Sequence, residues 1–314
     1  MKAVRFHDYG DPDVLRYEEA DDPVPATGEV RIRVTATSFN SVDATIRAGF
    51  MQEPIPVTLP HIPGLDVAGI IDTVGDGVTG LAVGDRVVAF LPMTADGASA
   101  ELVVAPADVV SAAPTSVPLP DAAGVPVVAL TAWQALFDHG RLEAGQRVLI
   151  NGAGGAVGGY AVQLAARAGA HVIATASPRT ADRVREAGAD EIVDHTATTV
   201  IDAVTESVDL ILNLAPIEPE QLSALTAIVR DGGVVVNTTV WMPAPSDEAR
   251  GVRGVDLYVR SDRDQLGQLV ALIDQGELRV DIAQRVPLAE LAALHASAAT
   301  TPPSGKVVVV VNAD

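Results

Sequence analysis

Cysteine is absent from this chain of 314 residues. Disulfides, a thiolate nucleophile and any cysteine-liganded zinc are thereby excluded. Aromatic residues are scarce, at 4% of a composition that is 48% hydrophobic. The cores must therefore be built from small and branched aliphatic side chains. Basic residues are outnumbered, with 21 Lys and Arg against 41 Asp and Glu and a formal net charge of −20. Such a charge keeps a chain in solution and repels nucleic-acid phosphates and anionic lipid heads. The acids are spread along the chain, as on a solvated surface, which still leaves room for a local basic pocket for one small phosphate. Apolar runs are broken before about 18 residues, so no membrane-spanning helix is expected. Met1 to Phe6 show no basic stretch leading into an apolar one, so no signal peptide is expected either. The expected setting is cytoplasmic, with neither nucleic acid nor membrane as a partner.

The length suits two domains. In the first third Val30, Ile32 and Val34 alternate with Arg31, Arg33 and Thr35, the period of a half-buried strand. Further strands are expected over 67–74, 86–91 and 101–104, punctuated by turns such as Gly75-Asp76-Gly77 and Gly84-Asp85. These point to a small all-β unit. The middle alternates instead. A helix over 119–137 is followed by strands at 147–151, 171–176, 191–193, 210–214 and 233–237, with helices at 157–168, before Gly188 and at 220–229. That order implies a doubly wound parallel sheet. Residues 242–251 read as an exposed loop, and the tail as one helix at 263–275 and a last strand at 306–311. That strand has no following βα partner, which suggests a return to the first domain. The expected domains are 1–118, 119–260, and 261–314 completing the first.

The main chemical signal is Arg147-Val-Leu-Ile-Asn-Gly-Ala-Gly-Gly-Ala-Val-Gly-Gly159. An apolar strand enters a turn made of Gly152, Ala153, Gly154, Gly155, Ala156, Val157 and Gly158, and a helix begins within it. Small residues let a diphosphate approach backbone N–H groups at a helix N-terminus. A glycine triplet alone is weak evidence, but the strand, the helix and the further βα units supply its context. The next strand ends in Thr175-Ala176-Ser177-Pro178-Arg179, without the acid that would select NAD. Either Ser177 and Arg179 hold a 2′-phosphate, or Ser177 caps a helix and Arg179 is solvated. The first reading makes the cofactor NADPH.

Several segments, in order, resemble the medium-chain dehydrogenase/reductase superfamily over nearly the whole chain. Asn40-Ser41-Val42-Asp43 is similar to its Asn-x-x-Asp segment, and Pro63-Gly64-Leu65-Asp66-Val67-Ala68-Gly69 to its Pro-Gly-x-(Glu/Asp)-x-x-Gly segment. Val83 to Val87, Leu130-Thr131-Ala132-Trp133, Ala187 to Asp190 and Ser304-Gly305-Lys306-Val307-Val308 extend the likeness. Zinc members of the family carry a Cys near Asn40, a His at Leu65 and a four-cysteine lobe, none of which is present. Residues 145–163 resemble the signature of the quinone oxidoreductase, or zeta-crystallin, branch, with Ala156 and Ala166 as departures. Thr45 and Met51 stand where some bacterial members place cleft tyrosines. The resemblance implies an α/β fold: a Rossmann doubly wound parallel sheet plus a discontinuous GroES-like β-barrel domain, with a cleft between them. It also implies a homodimer formed through Rossmann strands.

The activity so implied is zinc-free hydride transfer from NADPH to a small-molecule quinone or α,β-unsaturated carbonyl. Negative charge growing on the conjugated oxygen then needs hydrogen-bond donors. Asn40 is the first candidate, its amide donating to that oxygen or to the cofactor, against a reading in which it only ends a strand and closes a turn. Asp43 orients the site or caps a helix near 44–48. Thr131, by family likeness, bonds the nicotinamide carboxamide, or else is a buried helix threonine. His195 occupies a position where relatives place a Tyr near the adenosine phosphate, and is either a cofactor contact or exposed. Leu214, Ala215 and Thr238 fall at the carboxyl ends of strands, where such sheets bind ligands. His61 reads chiefly as a surface-loop histidine, with a general-acid role as the alternative. Trp133 reads as core or cleft wall. Two other functions stay open: an enoyl-thioester reductase of the same family, and a non-catalytic NADPH-binding protein. A carrier-linked thioester would favour a basic entrance, of which the acidic composition gives no sign.

Overall fold

The computed structural model describes residues 1–239 and 241–312, in two compact units. Residues 1–127 with 261–314 make one unit, and residues 128–260 the other.

The first unit opens with an antiparallel pair, β1 (Lys2–Phe6) and β2 (Leu15–Glu19). β3 (Glu29–Ser38), β4 (Asp66–Val74), β5 (Arg86–Phe90), β6 (Leu102–Pro106) and β7 (Val110–Ala112) follow. β3 is the hub, antiparallel to both β4 and β6, and the sheet continues from β4 through β5 to β7. The alternation read at its start is real: Val30, Ile32 and Val34 are fully buried. They pack with Val67, Ile71, Val87 and Val103, an aliphatic core in keeping with the scarcity of aromatics.

The second unit is built on one parallel sheet. Its strands are β8 (Arg147–Asn151), β9 (His171–Ala176), β10 (Glu191–Asp194), β11 (Val208–Asn213), β12 (Val229–Asn237) and β13 (Arg253–Asp256). They lie in the order β10-β9-β8-β11-β12-β13. The order reverses between β8 and β11, the topological switch at which open α/β sheets bind ligands. β8, β9 and β11 are buried almost throughout, as expected for strands covered on both faces.

The tail is richer than its sequence pattern indicated. The helix Arg263–Asp274 leads to β14 (Ile282–Pro287), a second helix, Leu291–Thr300, and β15 (Lys306–Val310). β14 and β15 are parallel, so β15 does follow a βαβ crossover, and it then pairs antiparallel with β3. β14 is largely exposed, and its helix is alanine-rich with little contrast between faces, which hides both from a periodicity reading. Leu288, Leu291, Leu294 and Val307 fill a core with Val4, Phe6, Ile46 and Met51, so this segment completes the first unit.

The helix expected over 119–137 is instead broken into Leu119–Ala122, Pro126–Trp133 and a π-type turn, Gln134–His139. Pro126 lacks an N–H and restricts the residue before it, which ends the first piece. Between 242 and 251 the loop reading holds apart from one turn of helix, Glu248–Arg250. The fold class is α/β, with a Rossmann-like parallel sheet and a GroES-like unit.

Candidate functional site

In the second unit, β8 is buried from Val148 to Asn151 and the chain then turns at Gly152, whose φ of +92° favours glycine. Gly154 and Gly158 are small because of what lies against them. A Cβ at Gly154 would stand 2.6 Å from the Thr180 hydroxyl, and one at Gly158 2.5 Å from the Ala153 backbone. Gly158 thus packs the helix start onto its own turn rather than onto the strand. Above Gly155 the nearest atom to a Cβ is 3.5 Å away. The helix Ala156–Arg167 begins here. Its first N–H groups have no acceptor within the helix and carry the positive end of its dipole. A Cβ at Gly155 would meet only the Gly152 carbonyl, at an ordinary contact distance, and an uncrowded glycine beside those donors fits a diphosphate.

At the end of β9, Ser177 is half-buried, with its hydroxyl 3.5 Å from that of Thr180, and Arg179 is exposed. The next helix is Ala181–Glu186, and Ser177 O accepts from the N–H groups of Thr180 and Ala181 at 2.9 and 3.0 Å just ahead of it. One basic residue was missed: Arg183 Nη2 donates to the Gly154 carbonyl at 2.5 Å, bringing a guanidinium to the glycine turn. Its signal was a basic side chain in the first turn of the helix after β9. His195 is exposed just beyond β10. Leu214 and Ala215 follow β11, and Leu214 N–H donates to Asn151 O at 2.8 Å. Thr238 follows β12 and bonds Asn213 O through both its N–H and its hydroxyl, each at 3.1 Å. The turn, Leu214, Ala215 and Thr238 are thus gathered at the carboxyl ends of three adjacent strands. Thr131 is 7% exposed on the helix Pro126–Trp133. Trp133 lies edge-on to Phe137 at 4.9 Å, a packing contact.

In the first unit, three of the family-like segments meet at one buried carboxylate. Asp66 is fully buried. Its Oδ1 accepts from Val127 N–H at 2.7 Å. Its Oδ2 accepts from the Ser38 hydroxyl, from Asn40 Nδ2 at 2.9 Å and from Lys306 Nζ at 3.2 Å. Lys306 also donates to Asn40 Oδ1 at 2.5 Å and to Phe39 O at 3.2 Å. Asp43 accepts from Gly64 N–H at 3.0 Å through Oδ1, while no hydrogen bond among the described residues meets its buried Oδ2. Burial, with the charge of Asp66 adding, raises the Asp43 carboxyl to about 7, against the pull of Gly64 N–H, Lys306 and the Asn40 side chain, which also faces it. Asp43 lies inside the helix Ser41–Arg47, whose cap position is Asn40, so it is not the capping residue.

His61 is a correction: it is 4% exposed and packed edge-on against Phe6 at 5.3 Å. Burial pushes its pKa down. It is a core residue on a short bridge to β1, not a surface-loop one. Met51 is buried in the core, and Thr45 bonds its hydroxyl to Ser41 O at 3.0 Å. Among the described residues no group of three or more His, Cys, Asp or Glu is placed to hold a metal ion. No helix among them is long and apolar enough to cross a membrane.

Comparison with known proteins agrees with this architecture. Residues 26–115 match the alcohol dehydrogenase GroES-like domain model, and residues 187–309 match a model described as zinc-binding dehydrogenase. A chloroplastic quinone-oxidoreductase homolog of Spinacia oleracea is 38% identical over 62% of this chain and 61% of its own length. The quinone oxidoreductase of Mus musculus is 32% identical over 94% of this chain and 93% of its own. Among solved structures, the quinone oxidoreductase from Coxiella burnetii superposes with a TM-score of 0.92 at 26% identity, covering 99% of both chains. An NAD-dependent alcohol dehydrogenase gives 0.90 at 27%, over 99% of this chain and all of the other. A mycobacterial protein in complex with NADPH gives 0.86 at 26%, with the same coverage.

Proposed function

The chain belongs to the quinone oxidoreductase branch of the medium-chain dehydrogenase/reductase superfamily, and on that premise we propose an NADPH-dependent reductase of quinones or α,β-unsaturated carbonyls that works without zinc. The observation that carries the reading is the glycine turn between β8 and the start of a helix, followed by a β9 end that bears Ser177 and Arg179 and no acid.

Bound NADPH supplies the hydride. The N–H groups at the helix start hold the diphosphate, and Ala156 there adds one methyl group at a position where the family usually has Gly. Ser177 and Arg179 take the 2′-phosphate, with a charge-assisted contact from the guanidinium. His195 lies toward the adenosine phosphates. Leu214, Ala215 and Thr238 line the nicotinamide half, and Thr131 bonds its carboxamide. The amide of Asn40, held in place by Asp66 and Lys306, is the donor to the oxygen on which charge grows or to the cofactor. Asp43 positions the Gly64 segment beside it.

Two features support zinc independence despite the name of one matching family model. The chain has no cysteine, and Leu65 stands where zinc members have His. A homodimer through the parallel sheet belongs to the same reading. The test is titration with NADPH and NADH, then NADPH consumption against a panel of quinones, enones and enoyl thioesters. Tight NADPH binding with quinone or enone turnover is expected. Equal affinity for both nucleotides would remove the role of Arg179. Binding without turnover of any acceptor would favour a non-catalytic NADPH-binding protein.

A further inference from the structure

A continuous line of buried side-chain hydrogen bonds crosses the carboxyl ends of the parallel sheet. Asn151 ends β8, Asn213 ends β11 and Asn237 ends β12, and in-register pairing sets Asn213 beside both of the others. Asn151 Nδ2 donates to Asn213 Oδ1 at 2.8 Å, and Asn213 Nδ2 donates to Asn237 Oδ1 at 2.9 Å. On the β9 side, Thr175 donates its hydroxyl to Asn151 Oδ1 at 2.9 Å and accepts from Gly152 N–H at 2.8 Å. On the far side, Asn237 Nδ2 donates to the carbonyls of Thr239 and Met242 at 3.1 and 2.7 Å. None of these four side chains is more than 4% exposed.

The far end fixes the direction of the line. The carbonyls of Thr239 and Met242 can only accept, so Asn237 must turn its Nδ2 to them and its Oδ1 to Asn213. Every amide along the line must therefore point the same way, because reversing one would set donor against donor and acceptor against acceptor. Both amide hydrogens of Asn213 are used: its Oδ1 takes Asn151, and its N–H groups go to Asn237 and to Ala215 O at 3.1 Å. A buried hydrogen-bonded network of this kind specifies geometry, which apolar residues at the same positions would not.

What the line holds is informative. Thr175 fixes the glycine turn through Gly152. Asn213 fixes Ala215 through its amide and Thr238 through its carbonyl. Asn237 fixes the carbonyls of Thr239 and Met242, and Trp241, next to Met242, has 64% of its surface exposed. With its N–H bonded to Thr175, Gly152 leaves anion binding to the helix start. We propose that Thr175, Asn151, Asn213 and Asn237 are positioning residues that lock the diphosphate turn and the nicotinamide-side segments at one separation, so that the cofactor is gripped as a single span. This rests on the NADPH reading above.

The test compares NADPH with 2′,5′-ADP, which lacks the nicotinamide half. Thr175→Val, at the turn end, should weaken both ligands about tenfold, the scale on which supporting contacts act on a positioned site. Asn237→Leu should weaken NADPH by about as much and leave 2′,5′-ADP within about twofold. Thr175→Ser keeps the hydroxyl and should restore both affinities. Thr239→Val removes only the hydroxyl bond to Asn237 at 2.7 Å; it serves if Asn237→Leu does not fold, and should move NADPH alone. Ile211→Ala, a fully buried apolar residue of the same strand as Asn213, is the control for lost stability. It should lower Tm and change neither affinity. Losses that follow Tm alike in all variants, or that are equal for the two ligands in Asn237→Leu, would overturn the proposal. A wild-type protein that binds no NADPH would instead overturn the cofactor reading, and this role with it, before any variant is made.

Discussion

Lys306 reaches Asp66 across 240 positions of sequence, Nζ to Oδ2 at 3.2 Å, with neither side chain more than 2% exposed. The contact fastens the last strand to β4 and joins the segments around Asn40, Gly64 and Ser304. Removing one partner of a buried pair strands the other charge, at a cost of about 3–5 kcal/mol. Lys306→Met should therefore lower the stability of the first unit by about 3 kcal/mol, read as a fall in the urea midpoint. Lys2→Met breaks an exposed pair with Glu19 and should leave that midpoint unchanged.

Asp43 and His295 make opposite demands on pH. The folded carboxyl of Asp43 titrates at about 7 against an ordinary 3.8. Burial, with the charge of Arg47 adding, lowers His295 from 6.5 to about 4. Between about pH 4 and 7 the folded state keeps a proton on Asp43 that the unfolded chain releases, so this contribution to stability falls as pH rises. Between about pH 6.5 and 4 the unfolded chain protonates His295 while the folded state does not, so that contribution rises with pH. His61, also held down by burial, adds to the second slope. Asp43→Asn should unmask a stability that climbs with pH through this window. His295→Leu should flatten or reverse the climb. Urea midpoints at half-unit pH steps are the measurement, and a constant difference between wild type and Asp43→Asn across the window would contradict the assignment.

How much of this was legible in the sequence depends on the range of the interaction. The parallel sheet was readable because strands covered on both faces become unbroken apolar runs, as in Val148 to Ile150 and Leu210 to Leu212. The glycine turn was readable because it is local. β14 was not, since four of its six residues are exposed. The Lys306–Asp66 pair was not, because only the folded register brings those segments together. The asparagine line left a trace that pattern reading passed over: three apolar strands each close on Asn, at 151, 213 and 237. Each looks like a turn residue, and only pairing in register turns them into a network. Asn40 was singled out for its motif, but its bonds to Asp66 and Lys306 appear only in three dimensions.

The glycines of the turn are not equivalent. A methyl group on Gly158 meets the Ala153 backbone at 2.5 Å, whereas one on Gly155 comes no nearer than 3.5 Å to Gly152 O. Gly158→Ala should lose about 1–3 kcal/mol through overpacking, and Gly155→Ala should stay close to wild type in thermal unfolding. Equal losses would mean that the turn is not packed as described.

Arg179 is exposed beside the end of β9, where the 2′-phosphate is expected. Arg179→Ala should weaken NADPH about tenfold and leave NADH unchanged, as measured by fluorescence titration. Arg183, committed to the Gly154 carbonyl, shapes the turn itself, so Arg183→Ala should weaken both nucleotides.

The most direct measurement is steady-state NADPH oxidation by enzyme freed of metal with a chelator, with quinones, enones and enoyl thioesters run in parallel. The expected result is turnover of a quinone or enone, undiminished by the chelator and faster with NADPH than with NADH. Turnover that returns only when zinc is added, or none with any acceptor despite bound NADPH, would contradict a zinc-free reductase of conjugated carbonyls.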